Sequence, residues 1–159
     1  MQIERTPDVV RRLRASFDSG CTRPLAWRED QLRRFRALLD EREELFLTAL
    51  HADLGKPRFE AWVSETGYLQ RDIDHTLRHL AGWMKPRRVG TPVAHQPGSS
   101  RVMREPLGVV LIIGPWNYPV QLVLAPLCAA IAAGNSAVIK PSEVAPRCSA
   151  TVAEWLPRY

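Results

Sequence analysis

Two short polar stretches in this 159-residue chain each follow an apolar, β-branched run. Gly114-Pro115-Trp116-Asn117-Tyr118-Pro119 comes after Val109-Val-Leu-Ile-Ile113, and Lys140-Pro141-Ser142-Glu143 comes after Ser136-Ala-Val-Ile139. In the first stretch two prolines bracket a tight turn. An asparagine amide held there can donate a hydrogen bond to an oxyanion as it develops. The same residue type suits a second task, capping a helix whose first turn holds Pro119. Trp116 reads as a packing aromatic. In the second stretch Lys140 and Glu143 stand three residues apart across a Pro-Ser turn. An ammonium donor and a carboxylate acceptor so placed can grip the vicinal hydroxyls of a ribose. The carboxylate would repel a 2′-phosphate and so favour NAD over NADP. The plainer reading of that pair is an exposed ion pair of little energetic consequence.

Other familiar chemistries have no carrier here. The glycines at 108, 114 and 134 do not fit the spacing G-x-G-x-x-G, and no phosphate-binding P-loop occurs. His75 and His79, one helical turn apart, lack an evident third metal ligand and read as a solvated face. Cys21, Cys128 and Cys148 form no C-x-x-C pair, which argues against a disulfide framework and suits a reducing cytoplasm. Cys128, among alanine and leucine with no base beside it, reads as a buried, inert thiol.

The elements that must position these residues are legible in outline. Residues 1–84 read as helices. Thr6-Pro7-Asp8 is a start signal and Gly20 a stop. A long apolar pattern runs from Leu25 to Leu50, interrupted by the charged Asp40–Glu44 stretch, where a bend or split is expected. A further stripe, Phe59, Trp62, Val63, Leu69, Ile73, Leu77, Leu80 and Met84, predicts a helix over 58–84 weakened at Gly67. Residues 85–104 carry prolines and glycines and read as a connector or hairpin arm. Residues 105–159 predict strand (108–113), helix (119–133), strand (136–140) and helix (146–156), a βαβα unit with parallel strands buried on both faces. In such sheets ligands gather beyond the carboxyl ends of the strands, where both polar stretches lie.

Composition narrows the class. With 45% hydrophobic and 25% charged residues the chain is ordinary for a globular domain. The longest apolar run falls well short of a membrane span, and the N-terminus has no apolar leader core. The net charge of +5 raises a nucleic-acid reading, but 19 of the 22 basic residues are arginines interleaved with Asp and Glu. That pattern describes solvated helix faces rather than a phosphate-binding surface, so nucleic acid is not expected as a partner, and no membrane span is expected.

The segment Glu105-Pro-Leu-Gly-Val-Val-Leu-Ile-Ile-Gly-Pro-Trp-Asn-Tyr-Pro119, followed by Ala132-Ala-Gly-Asn-Ser-Ala-Val-Ile-Lys-Pro-Ser-Glu143, closely resembles the aldehyde dehydrogenase superfamily. Arg14-Ala-Ser-Phe-Asp-Ser-Gly20, Thr22-Arg-Pro-Leu25 and Ala52-Asp-Leu-Gly-Lys56 resemble its class 3 branch. The resemblance implies an α/β fold: N-terminal helices, then a partial Rossmann-like βαβα unit, with 85–104 as a β-hairpin oligomerisation arm. It implies oxidation of an aldehyde to a carboxylic acid with NAD, or with NADP. Asn117 would stabilise the oxyanion of a thiohemiacetal, Lys140 and Glu143 would bind the adenosine ribose, and Gly114 and Trp116 would lie along the cofactor. Tyr118 would line the substrate funnel. The family's nucleophilic cysteine, its general-base glutamate and its glycine loop all correspond to positions after residue 159, and none of the three cysteines here matches the nucleophile. The expectation is therefore an N-terminal third, cytoplasmic and inactive alone. The alternative expectation is an interaction module that forms a homo-oligomer or joins a complementing chain.

Overall fold

Helices dominate the first half because apolar residues recur there at helical spacing. In the computed structural model, residues 6–159 are described. Helix α1 (Thr6–Asp18) leads to α2 (Leu25–Glu41) and α3 (Glu43–Leu54). The expected split falls at Arg42, whose backbone leaves the helical region (φ −118°, ψ 12°) between the two runs. Leu32, Phe35, Leu38 and Leu39 of α2 pack with Phe46, Leu47 and Leu50 of α3 in the core, while Leu45, expected on the same stripe, is exposed. Arg28 is buried on α2. Its guanidinium donates to the carbonyls of Thr22 (3.1 Å) and Ala132 (3.0 Å), joining the loop after α1 to the end of a distant helix.

The segment 58–84 is helical throughout but not regular. A short α4 (Arg58–Ala61) passes into a π-helical turn (Trp62–Thr66) and then α5 (Gly67–Trp83). Phe59, Trp62 and Val63, expected to face the core, are exposed, whereas Glu65 and Thr66 are buried. The cause is the wide turn: the Gly67 amide bonds to the Trp62 carbonyl, five residues back, which shifts the register of everything before it. The irregularity expected at Gly67 falls at this turn, which ends there. A Cβ there would stand 2.8 Å from the Trp62 ring and 2.9 Å from its carbonyl oxygen, so the turn requires glycine.

Residues 85–104 contain an antiparallel hairpin, β1 (Arg87–Val89) with β2 (Ser100–Val102), that stands out from the body with nearly every residue exposed. Then β3 (Val109–Ile113), α6 (Gln121–Ala133), β4 (Ser136–Lys140) and α7 (Pro146–Trp155) make the expected βαβα unit. The strands are parallel, in register from Val109 opposite Ser136 to Ile113 opposite Lys140. Pro126 sits inside α6 but on its exposed side.

A further expectation fails at the sheet. The strands are not buried on both faces: Ile112 is buried, but Leu111 and Ile113 are 64% and 65% exposed. Helix α6 covers one face, and α1 packs where the strands begin, with Phe17 beside Gly108. Past that point no described residue covers the second face of β3.

Candidate functional site

The site begins where β3 and β4 end side by side. The Gly114 amide donates to the Lys140 carbonyl at 3.0 Å, so the two polar stretches leave the sheet from adjacent points. Gly114 is buried against α6. A Cβ built there would stand 2.0 Å from Val123 Cγ2, so only glycine lets helix and strand close together. The chain then crosses Pro115 to Tyr118, all exposed, and re-enters the core at Pro119 and Val120.

Asn117 lies at the middle of this loop, exposed, and its side chain makes no hydrogen bond among the described residues. The capping task falls elsewhere. Helix α6 begins at Gln121 without an Asn117 contact, and its first amides are taken by Glu65, whose Oε2 accepts from Val120 at 2.9 Å and Gln121 at 3.1 Å. Glu65 is fully buried, and its other oxygen accepts from Lys56 Nζ, itself buried. The same ammonium sits 3.9 Å from the centroid of the Tyr118 ring, a cation–π contact within the usual range. Sequence reading did not single out Lys56 or Glu65. The available signal was the glycine at 67 breaking an apolar stripe, the mark of a register shift that turns residue 65 inward.

On the β4 side, Lys140 Nζ donates to Glu143 Oε2 at 2.5 Å, with both side chains open to solvent. The hydrogen bond from Lys140 holds the Glu143 carboxyl below the usual carboxylate range, so it is an anion at neutral pH. Asp53 anchors the helix that follows, accepting from the amides of Arg147 at 3.3 Å and Cys148 at 2.8 Å.

Of the three cysteines, Cys128 and Cys148 are buried and Cys21 is exposed. Burial pushes Cys128 up to about 12, and burial followed by a hydrogen bond with Asp53 raises Cys148 further still. Cys21 is exposed, and hydrogen bonds from Ser19 and Ser16 lower its pKa. It follows α1 near the strand starts, at the other end of the sheet. A cavity of about 470 Å³ among Arg28, Thr76, Leu80, Trp83, Arg104 and Ala132 also lies at that end. His75 and His79 stack on the exposed side of α5 with Trp83, and among the described residues no group of three or more potential metal ligands occurs.

The profile of the aldehyde dehydrogenase family matches residues 4–158, nearly the whole chain. The chain belongs to the aldehyde dehydrogenase family. Among its relatives is aldehyde dehydrogenase family 3 member B1 of Bos taurus, 46% identical over 152 residues, which cover 96% of this chain and 32% of the relative. The chain thus spans about a third of the length of the curated relatives it matches. Among solved structures, the substrate-bound state of Staphylococcus aureus AldH superposes with a TM-score of 0.95 at 36% identity, over 98% of this chain and 34% of that one. An NADP-dependent glyceraldehyde-3-phosphate dehydrogenase from Bacillus halodurans, complexed with NADP, gives 0.79 at 29% identity, over 96% of this chain and 32% of that one. The aldehyde dehydrogenase fold is therefore shared across the full described length, and Asn117, Lys140 and Glu143 project from the same end of its two strands.

Proposed function

We propose that this chain supplies the oxyanion donor and the adenosine-ribose grip of an NAD(P)-dependent aldehyde dehydrogenase, in which an aldehyde is oxidised to a carboxylic acid. The single observation that carries the reading is the state of Asn117: an unbonded amide, held on a short loop at the strand ends, with the capping task that would otherwise occupy it taken by Glu65. NAD or NADP supplies the hydride acceptor when bound. Lys140 and Glu143 fit its adenosine ribose, since one offers a donor and the other an ionised acceptor, already paired and exposed at the end of β4. Ionised Glu143 disfavours a 2′-phosphate, which supports NAD as the preferred form. Gly114 and Trp116 border the cofactor, and exposed Tyr118 faces the aldehyde.

Turnover needs more than these 159 residues. Cys128 and Cys148 are buried, protonated thiols and no cysteine here matches the family nucleophile, so on this reading the amide has no oxyanion to meet until further chain brings one. The bare apolar face at Leu111 and Ile113 supports completion by such a chain. The hairpin of 85–104, exposed and projecting, suits subunit association. The test is the chain assayed with NAD and an aldehyde, alone and co-produced with the remaining two-thirds of a family 3 relative. NADH should form only in the second case. Turnover by the chain alone, or none in the pair despite a stable complex, contradicts the proposal.

A further inference from the structure

The loop that carries Asn117 is gripped at both ends, and the grip on its far side is ionic and buried. From Gly114 to Asn117 is three residues, and from Asn117 to Val120 is three more. The first end is fixed by the Gly114–Lys140 backbone bond and by the close approach of Val123. The second is fixed by Glu65, which spends one oxygen on the amides of Val120 and Gln121 and the other on Lys56. Lys56 in turn touches the Tyr118 ring, the residue directly after Asn117. A buried ion pair is a poor stabiliser in general, because desolvating two charges offsets most of their attraction. Here it also demanded a π-helical turn and a glycine at 67 to aim the carboxylate inward. Such turns collect at functional positions. An apolar contact could fill the same space, but only an anion satisfies two helix-start amides while drawing a cation under the loop.

We infer that Lys56 and Glu65 are positioning residues, a buried clamp that orders the Pro115–Pro119 loop and so aims the Asn117 amide. The clamp rests on the reading of Asn117 as oxyanion donor. Three separate stretches meet in it: the linker before α4, the π turn, and the start of α6. Neutralising Glu65 should therefore loosen the loop far more than it loosens the rest of the fold.

The experiment compares the chain with its Glu65→Gln variant by amide hydrogen exchange and by NMR of the Asn117 side-chain NH2 group. The Val120 and Gln121 amides should exchange at least ten times faster, relative to core amides of α2 such as Leu38, and the Asn117 NH2 signal should report increased motion. Should Glu65→Gln not fold, Lys56→Gln/Glu65→Gln, which leaves no unpaired charge, is measured in its place with the same expectation. Equal acceleration at Leu38 and Val120, or an Asn117 signal unaltered by the variant, overturns the clamp. These readouts need no aldehyde or cofactor. A failure of the co-production assay therefore strikes the oxyanion reading, and uniform exchange strikes the clamp.

Discussion

Replacing Gly114 with alanine places a methyl carbon 2.0 Å from Val123 Cγ2, where carbon–carbon contact needs about 3.5–4.0 Å. Helix and strand must part by roughly 1.5–2 Å there, or Val123 must leave its rotamer. Neither is easy, because Val123 is fully buried and α6 is held at its first turn by Glu65. Overpacking of this kind costs about 1–3 kcal/mol, and the depth of overlap places Gly114→Ala near the upper end. Val123→Ala alone leaves a cavity and costs about 2 kcal/mol. Together the changes relieve each other: the new methyl enters the space that the valine methyls vacate. Gly114→Ala/Val123→Ala should then be about as stable as Val123→Ala, a coupling of about 1–3 kcal/mol in a double-mutant cycle. Urea unfolding midpoints of the four proteins, at constant m, measure it. Strictly additive losses, or a Gly114→Ala variant as stable as its parent, would refute the packing argument. Gly114 would then have to be explained by the cofactor alone.

Asp53→Ala removes the acceptor of two α7 amides and should cost about 1 kcal/mol, seen as a lower melting temperature, with Asp53→Asn losing less. At pH 8 iodoacetamide should alkylate native protein at Cys21 alone, since burial keeps Cys128 and Cys148 as neutral thiols, and mass spectrometry should find all three modified only after denaturation. Because folded Cys128 keeps to about 12 a proton that the unfolded chain releases near 9.0, stability should fall as pH rises across that window. Cys128→Ala should flatten this fall without abolishing it, as Cys148 acts in the same direction. Leu111→Lys or Ile113→Lys should leave the melting temperature of the chain within a degree or two, since both side chains are exposed, yet prevent complex formation in co-production if the proposed completing chain seats on this face.

Local signals served the second half of the chain well. The β-branched runs bounded by Gly108, Gly114 and Gly134 became strands within a residue of their expected limits, because glycine and proline punctuate short buried strands sharply. The split at Arg42 was legible for a like reason: five successive charged residues cannot continue a buried stripe. What stayed hidden was long-range. Glu65 reads as one more polar position on a helix until the π turn rotates it inward, and its partners are 9, 55 and 56 residues away. Asn117 could be read as cap or as donor because both need a rigid amide. The distant carboxylate of Glu65 takes the amides that a capping Asn117 would serve, and no local pattern announces that. The bare face of β3 was equally out of reach, since an apolar run announces that burial is required without saying which chain provides it.

Asn117 is the proposed oxyanion donor. In the co-produced enzyme, Asn117→Ala should lower kcat by about 10²–10³-fold, the usual effect of losing one such donor, with the KM for NAD unchanged. A kcat within twofold of the parent, or a loss confined to the KM for NAD, would contradict it.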